Sequence, residues 1–210
     1  MTTNPKDVVL PEKSKMDAIK KVTMHFLNNG IWKPTTTRIY NDTIQKATTP
    51  DDIILALARP YRLCAVNFFF FHMSRDDLST ALSNAWTSSE NPNMDSSMTK
   101  AQAVRLFKIC NPEKMMCEED YEIYKQLPEE ITIYRGLGKL NAANIKALSW
   151  TLNPDRAKWF ANRFDFGEGN AKVYRAKIKR KYVFAYCNER KEEEVIVDYH
   201  KLQNIELVTE

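Results

Sequence analysis

Three short segments carry the side chains with the clearest chemical capacity. Tyr134-Arg135-Gly136 sets a cation beside a residue without a side chain, so an anionic group such as a phosphate can come close to the backbone. Ser149-Trp150-Thr151 sets hydroxyls at alternate positions, which in an extended chain puts both on one face and Trp150 on the other. Glu192-Glu193-Glu194 leads directly into the apolar run Val195-Ile196-Val197. Glu192 and Glu194 share a face if the strand begins that early. Like charges held so close raise one pKa unless cations or hydroxyl donors offset them. Each segment alone also has an ordinary reading: a surface arginine at a turn, a helix-capping turn before Asn153-Pro154, a solvated charge run. Together, and in this order, they suit chemistry on a charged dinucleotide.

The elements that must position these segments fall into two halves divided near Pro128. Residues 1–127 read as a helical region. Met16, Ile19, Val22, Phe26 and Leu27 lay an apolar stripe on one helix face, ended by Asn28-Asn29-Gly30. A second helix is expected over Thr37 to Lys46. Thr49-Pro50-Asp51-Asp52 combines a cap, a first-turn proline and first-turn acids; the helix it starts meets Pro60, and a further piece carries Leu63 to Met73. Helices are also expected over Asp76 to Trp86, from Thr99 through Cys110, and from Pro112 to Gln126. A turn-rich loop is expected over Thr87 to Met98.

Residues 128–210 read as a β-rich region. Strands are expected at Ile131 to Arg135, Ala171 to Lys179, Tyr182 to Tyr186, Glu194 to Val197 and Ile205 to Val208, with Ser149-Trp150-Thr151 as a short further strand. Short helices are expected at Asn141 to Leu148 and Pro154 to Phe164, and a glycine-containing loop at Asp165 to Asn170. The fold class is therefore α+β: a helical N-terminal half, then a mainly antiparallel β half with short helices.

With 210 residues the chain is long enough for one large domain or two small lobes. Its net charge of +4 permits an anionic ligand or nucleic acid without requiring either. Cys64, Cys110, Cys117 and Cys187 form no CxxC pair, and His25, His72 and His200 are not at ligand spacing with them, so reduced thiols and no metal are expected. The apolar run from Leu63 to Met73 is about half the length of a membrane span. A cytoplasmic protein with no membrane partner is expected, with delivery into a target or host cell as the alternative, because some export routes read no leader peptide.

The ordered trio resembles the mono-ADP-ribosyltransferases of the arginine–serine–glutamate class, a family that includes many bacterial toxins. The family pattern is an arginine on the first strand, a Ser-Thr-Ser or relative of it, and a Glu-x-Glu or Gln-x-Glu before a strand; here these are Arg135, Ser149-Trp150-Thr151 and Glu192-x-Glu194. The text from Ser149 to Ala161 and the strand Val173 to Ile178 also resemble the corresponding family segments. The resemblance covers about residues 129 to 210, with Trp150 departing from the middle threonine. It implies an ADP-ribosyltransferase-like core that binds NAD as substrate. Glu194 would meet the ribose 2′-hydroxyl and stabilise an oxocarbenium-like transition state. Arg135, beside Gly136, would hold the diphosphate, Ser149 would bond toward Glu194 and the nicotinamide pocket, and Thr151 would support Ser149. Phe160 or Phe164 would pack on the nicotinamide ring or serve the core. Glu192 would address the acceptor, with protein arginine favoured and an RNA or DNA base as the alternative.

Such an activity suits a toxin or an effector of phage–host conflict, restrained by an antitoxin or immunity protein. Two other readings remain open: an NAD glycohydrolase on the same scaffold, and a non-catalytic protein that binds nucleic acid or a partner. The second draws on Lys172, Arg175, Lys177, Lys179, Arg180 and Lys181, a basic stripe that is either a solvated, aggregation-resisting edge or an electrostatic track.

Overall fold

The computed structural model describes residues 8–38, 40–163 and 169–208. The chain divides into two compact units, Met1–Met115 and Met116–Glu210.

The first unit is helical: α1 (Met16–Asn28), α2 (Tyr40–Lys46), α3 (Pro50–Ala56), α4 (Arg59–Phe69), α5 (Arg75–Ser88), α6 (Lys100–Ile109) and α7 (Pro112–Met115). Local chemistry sets its helix starts. Thr49 accepts from the Asp52 amide while Asp52 accepts from the Thr49 amide, a reciprocal cap that Thr99 and Gln102 repeat at α6. Pro60 does not break the chain; it sits in the first turn of α4, where its missing N–H costs nothing. The helix faces close over Ile19, Ile53, Ile54, Leu63, Phe69, Leu78, Leu82 and Trp86, all buried. The expected loop from Thr87 contributes Asn93 and Met98 to the buried set.

The second unit consists of α8 (Glu118–Gln126), β1 (Glu130–Leu137), β2 (Ser149–Thr151), α9 (Pro154–Asn162), β3 (Lys172–Lys179), β4 (Val183–Cys187), β5 (Glu194–Val197) and β6 (Gln203–Leu207). The strands form one six-stranded sheet in the order β4-β5-β2-β1-β3-β6, every neighbouring pair antiparallel. The molecule is thus α+β, with its helices mainly in the first half.

The boundary between the units lies before the expected division at Pro128, because α8 belongs with the sheet. Tyr124 Oη donates to the Val183 carbonyl at 3.2 Å, and the Asn188 amide donates to Asp120 Oδ2 at 2.9 Å. The expected helix from Pro112 to Gln126 is accordingly two, α7 and α8. The expected helix from Asn141 to Leu148 is absent. Only a single 3-10 turn, Lys139–Asn141, stands there, and a connector runs on into β2.

Alternation builds the core of the second unit. Ile131, Ile133, Ala176, Ile178, Trp150, Val195 and Val197 face one layer and are buried. Val195, Ile196 and Val197 have no exposed surface, which at roughly 1.5–3 kcal/mol per side chain anchors β5 firmly behind Glu194.

Among the described residues no helix is long and apolar enough to cross a membrane.

Candidate functional site

The strands that carry the three motifs are consecutive neighbours, β5-β2-β1. Sequence separation hid this, since β2 and β5 are parted by α9, β3 and β4. Antiparallel partners share a sheet face, and the pairings Arg175↔Tyr134, Tyr134↔Thr151, Thr151↔Glu194 and Glu194↔Cys187 set these residues in one transverse row.

The β1–β2 ladder holds a single paired position, Tyr134↔Thr151. Beyond it the strands part, and carbonyls that a ladder would satisfy need other donors. Arg135 supplies them. Its Nε donates to the Asn144 carbonyl at 3.1 Å, and its Nη1 donates to the Ser149 carbonyl. The guanidinium is buried, and burial draws its pKa down to about 10, opposed by the nearby Glu194 charge. It remains a cation at neutral pH. Arg135 therefore braces the opening between β1 and β2, where the sequence reading had it reaching outward to a phosphate.

Gly136 also has a different reason to be glycine. A Cβ there would lie 1.9 Å from the Ala157 carbonyl oxygen and 2.6 Å from the Ala161 nitrogen. The space beside its backbone is filled by α9, which packs through its buried Ala157 and Ala161, so no phosphate approaches from that side.

The Ser149 side chain lies close enough to the Glu194 carboxylate to favour its ionised form through a hydrogen bond. Withdrawal from water raises the Glu194 pKa above its usual 4.5. The Ser149 bond and the Arg190 charge oppose that rise, Glu192 adds to it, and Arg135 opposes it. A hydroxyl–carboxylate couple and a buried guanidinium thus stand within electrostatic reach of one another on adjacent strands.

Thr151 is buried and does not support Ser149. Its Oγ1 donates to the Glu192 carbonyl at 2.7 Å and accepts from the Asn153 amide at 3.0 Å. Its role is to hold the β4–β5 turn. Lys191 and Glu193 in that turn adopt left-handed backbone, with φ of 56° and 47°. Surrounding bonds hold this costly conformation. The Glu193 amide donates to Asn188 Oδ1 at 3.1 Å, the Leu152 amide to the Glu193 carbonyl at 3.0 Å, and Arg156 Nε to the Lys191 carbonyl at 2.7 Å. Asn153 Nδ2 adds a bond to Glu193 Oε1 at 2.8 Å. Because β5 begins only at Glu194, strand alternation does not relate Glu192 to Glu194. Glu192 belongs to the turn, and its Oε2 accepts from Arg190 Nη2 at 2.8 Å.

Phe160, on α9, is partly buried and meets Trp159 edge-on at 5.1 Å between ring centroids. Phe164 lies outside the described residues, as does the greater part of the loop expected from Asp165 to Asn170.

The basic stripe does not lie on an edge strand, and three of its six residues are engaged within the sheet unit. β3 lies between β1 and β6. Arg175 donates through Nε and Nη2 to Glu206 Oε2 on β6, and Lys177 pairs with Glu130 on β1 at 2.8 Å. Arg180 donates to the Lys125 and Leu127 carbonyls.

The sequence reading missed Asn144, Asn153, Asn188 and Arg190. Asn153 carried a signal as the cap before Pro154, but its reach to Glu193 depends on chain folding. Arg190 carried one too: a cation beside an acidic run. Among the described residues no group of His, Cys, Asp or Glu is placed to hold a metal ion. Comparison with protein-family models, with curated proteins and with solved structures finds no match.

Proposed function

We propose that the second unit is an NAD-dependent mono-ADP-ribosyltransferase. The observation that carries this reading is the Ser149–Glu194 couple beside the Arg135-braced opening between β1 and β2.

The chemistry follows from the charges. The bond between ribose C1′ and the nicotinamide nitrogen breaks with its electron pair leaving on nicotinamide, and C1′ becomes oxocarbenium-like. A fixed carboxylate on the ribose 2′-hydroxyl stabilises that cation, and Glu194 supplies it. Ser149 orients the Glu194 carboxylate and favours its ionised form. Arg135 acts mainly as a positioning residue for the connector and Ser149. Its Nη2, the nitrogen not engaged with Asn144 or Ser149, is the donor that remains for an anionic group of the ligand. Glu192, held on a braced turn close enough to influence Glu194, is suited to orient a cationic acceptor. Because Arg190 already engages Glu192, hydrolysis of NAD by water is the competing outcome.

The test is incubation with labelled NAD and cell lysate, followed by separate protease and nuclease digestion to identify the acceptor class. Glu194→Gln keeps the shape and removes the charge. It is expected to lower both transfer and nicotinamide release by about 10²–10³ with an unchanged circular dichroism spectrum. Unaltered label transfer by this variant rejects the reading.

A further inference from the structure

The last residues of the basic stripe lead to a corner of the sheet unit where cations and aromatic rings meet. Two 3-10 turns form it, Arg180–Tyr182 before β4 and Tyr199–Lys201 after β5. They are joined because the Asp198 amide donates to the Tyr182 carbonyl at 2.9 Å. Lys181 Nζ lies 5.2 Å from the centroid of the Tyr182 ring, and Lys201 Nζ lies 5.6 Å from the same centroid. One ring thus draws two ammonium groups together, where they repel each other. Among the described residues neither lysine pairs with a carboxylate, and Arg180 gives its guanidinium to two neutral carbonyls. The acid inside the corner, Asp198, is 1% exposed. Its Oδ1 accepts from the His200 amide at 3.2 Å and meets the His200 ring Nδ1 at 2.9 Å, while its carbonyl accepts from the Lys201 amide at 2.8 Å. Asp198 therefore fixes the His200 ring, which stacks on Tyr199 with centroids 4.0 Å apart and planes at 29°. The His200 side chain is 52% exposed, so it forms the solvent face of that pair.

We propose that this corner is a docking surface for a single-stranded nucleic acid. Arg180, Lys181 and Lys201 supply charge that backbone phosphates neutralise, and the stacked His200–Tyr199 pair supplies a fixed ring on which an unpaired base lies. A duplex keeps its bases stacked on one another and cannot use that ring. The surface stands apart from the transferase reading: Glu194 opens β5, and the corner lies beyond the end of that strand.

The test is fluorescence anisotropy of a short labelled oligouridylate with the full chain at several salt concentrations, beside the same strand in a duplex and beside heparin, a polyanion without bases. Lys181→Ala and Lys201→Ala are each expected to weaken binding several-fold and to lower the slope of log affinity against log salt by about 0.7. Lys172→Ala makes the same charge change at the far end of β3 and should leave binding unaltered. His200→Asn keeps an N–H for Asp198 and removes the ring; it is expected to weaken single-strand binding about fivefold or more and to leave heparin binding unchanged. Absence of binding at low salt overturns the proposal. An equal loss in Lys172→Ala also overturns it, because attraction by net charge alone would then suffice. So does a duplex or heparin bound as tightly as the single strand with no effect of His200→Asn, the pattern of a partner recognised by charge alone, such as an acidic protein.

Discussion

The two units bury different kinds of polar group. Among the described residues, the helical unit buries Thr23, Ser79, Ser83 and Asn93, all neutral. The sheet unit buries Asp120, Arg135 and Asp198 as well as Asn144 and Thr151. A neutral hydroxyl is satisfied cheaply inside a helix bundle: Ser79 donates to the Arg75 carbonyl at 2.6 Å and Ser83 to the Met115 carbonyl at 2.6 Å. A buried charge costs several kcal/mol unless its partners are arranged around it. The helical unit is organised by apolar packing, and the sheet unit carries buried charge, of which Arg135 lies where β1 and β2 part.

The largest effect should come from removing the buried cation. Arg135→Ala leaves the Ser149 and Asn144 carbonyls without their donor, and is expected to cost about 3–5 kcal/mol in denaturant unfolding. The matched change in the helical unit, Ser83→Ala, should cost only about 1 kcal/mol. Similar losses for the two would erase the contrast.

The glycines sharpen the comparison in another way. Gly136→Ala forces a Cβ into the α9 backbone and should cost about 1–3 kcal/mol, with loss of activity as α9 shifts. Gly30 in the helical unit has open space around it but a φ of +69°, so Gly30→Ala should cost about 1 kcal/mol through backbone strain alone. Calorimetric unfolding of both variants, with nicotinamide release measured alongside, separates crowding from strain.

A smaller effect concerns pH. The raised Glu194 pKa means that the folded chain holds this proton at pH values where the unfolded chain has released it. Stability from this group therefore declines as pH rises from the ordinary value of 4.5 through the folded value, and turnover that needs the carboxylate rises over the same interval. Ser149→Ala removes a bond that favours the carboxylate, so the acidic limb of the pH–rate profile should move to higher pH. A limb that stays in place would show that Ser149 does not act on Glu194.

The smallest effect belongs to the basic stripe. Lys177→Ala breaks a half-exposed pair with Glu130 and should change stability by less than about 1 kcal/mol, an effect that salt diminishes further. A large loss would mean that charge organises this strand as well.

Much of the fold was legible in local patterns. Thr49-Pro50-Asp51-Asp52 announces α3 because its cap chemistry is complete within four consecutive residues, and the alternation of Ala176 and Ile178 with Arg175 and Lys177 marks β3. The break between α7 and α8 was not legible, because the pairing of Asp120 with Asn188 and Tyr124 with Val183 joins distant parts of the chain. Nor was the absence of a helix from Asn141 to Leu148, where Arg135 holds the connector by the Asn144 carbonyl and Trp150 Nε1 holds the Ala147 carbonyl at 2.9 Å.

At the site, residue order marked Arg135, Ser149 and Glu194 as a group, since side-chain chemistry is written directly in residue type. What each of them touches was decided by strand pairing. Tertiary structure turned Arg135 inward onto carbonyls, gave the side of Gly136 to a helix and assigned Thr151 to a turn, because a sheet's neighbours come from distant sequence and backbone groups without ladder partners take the nearest donor.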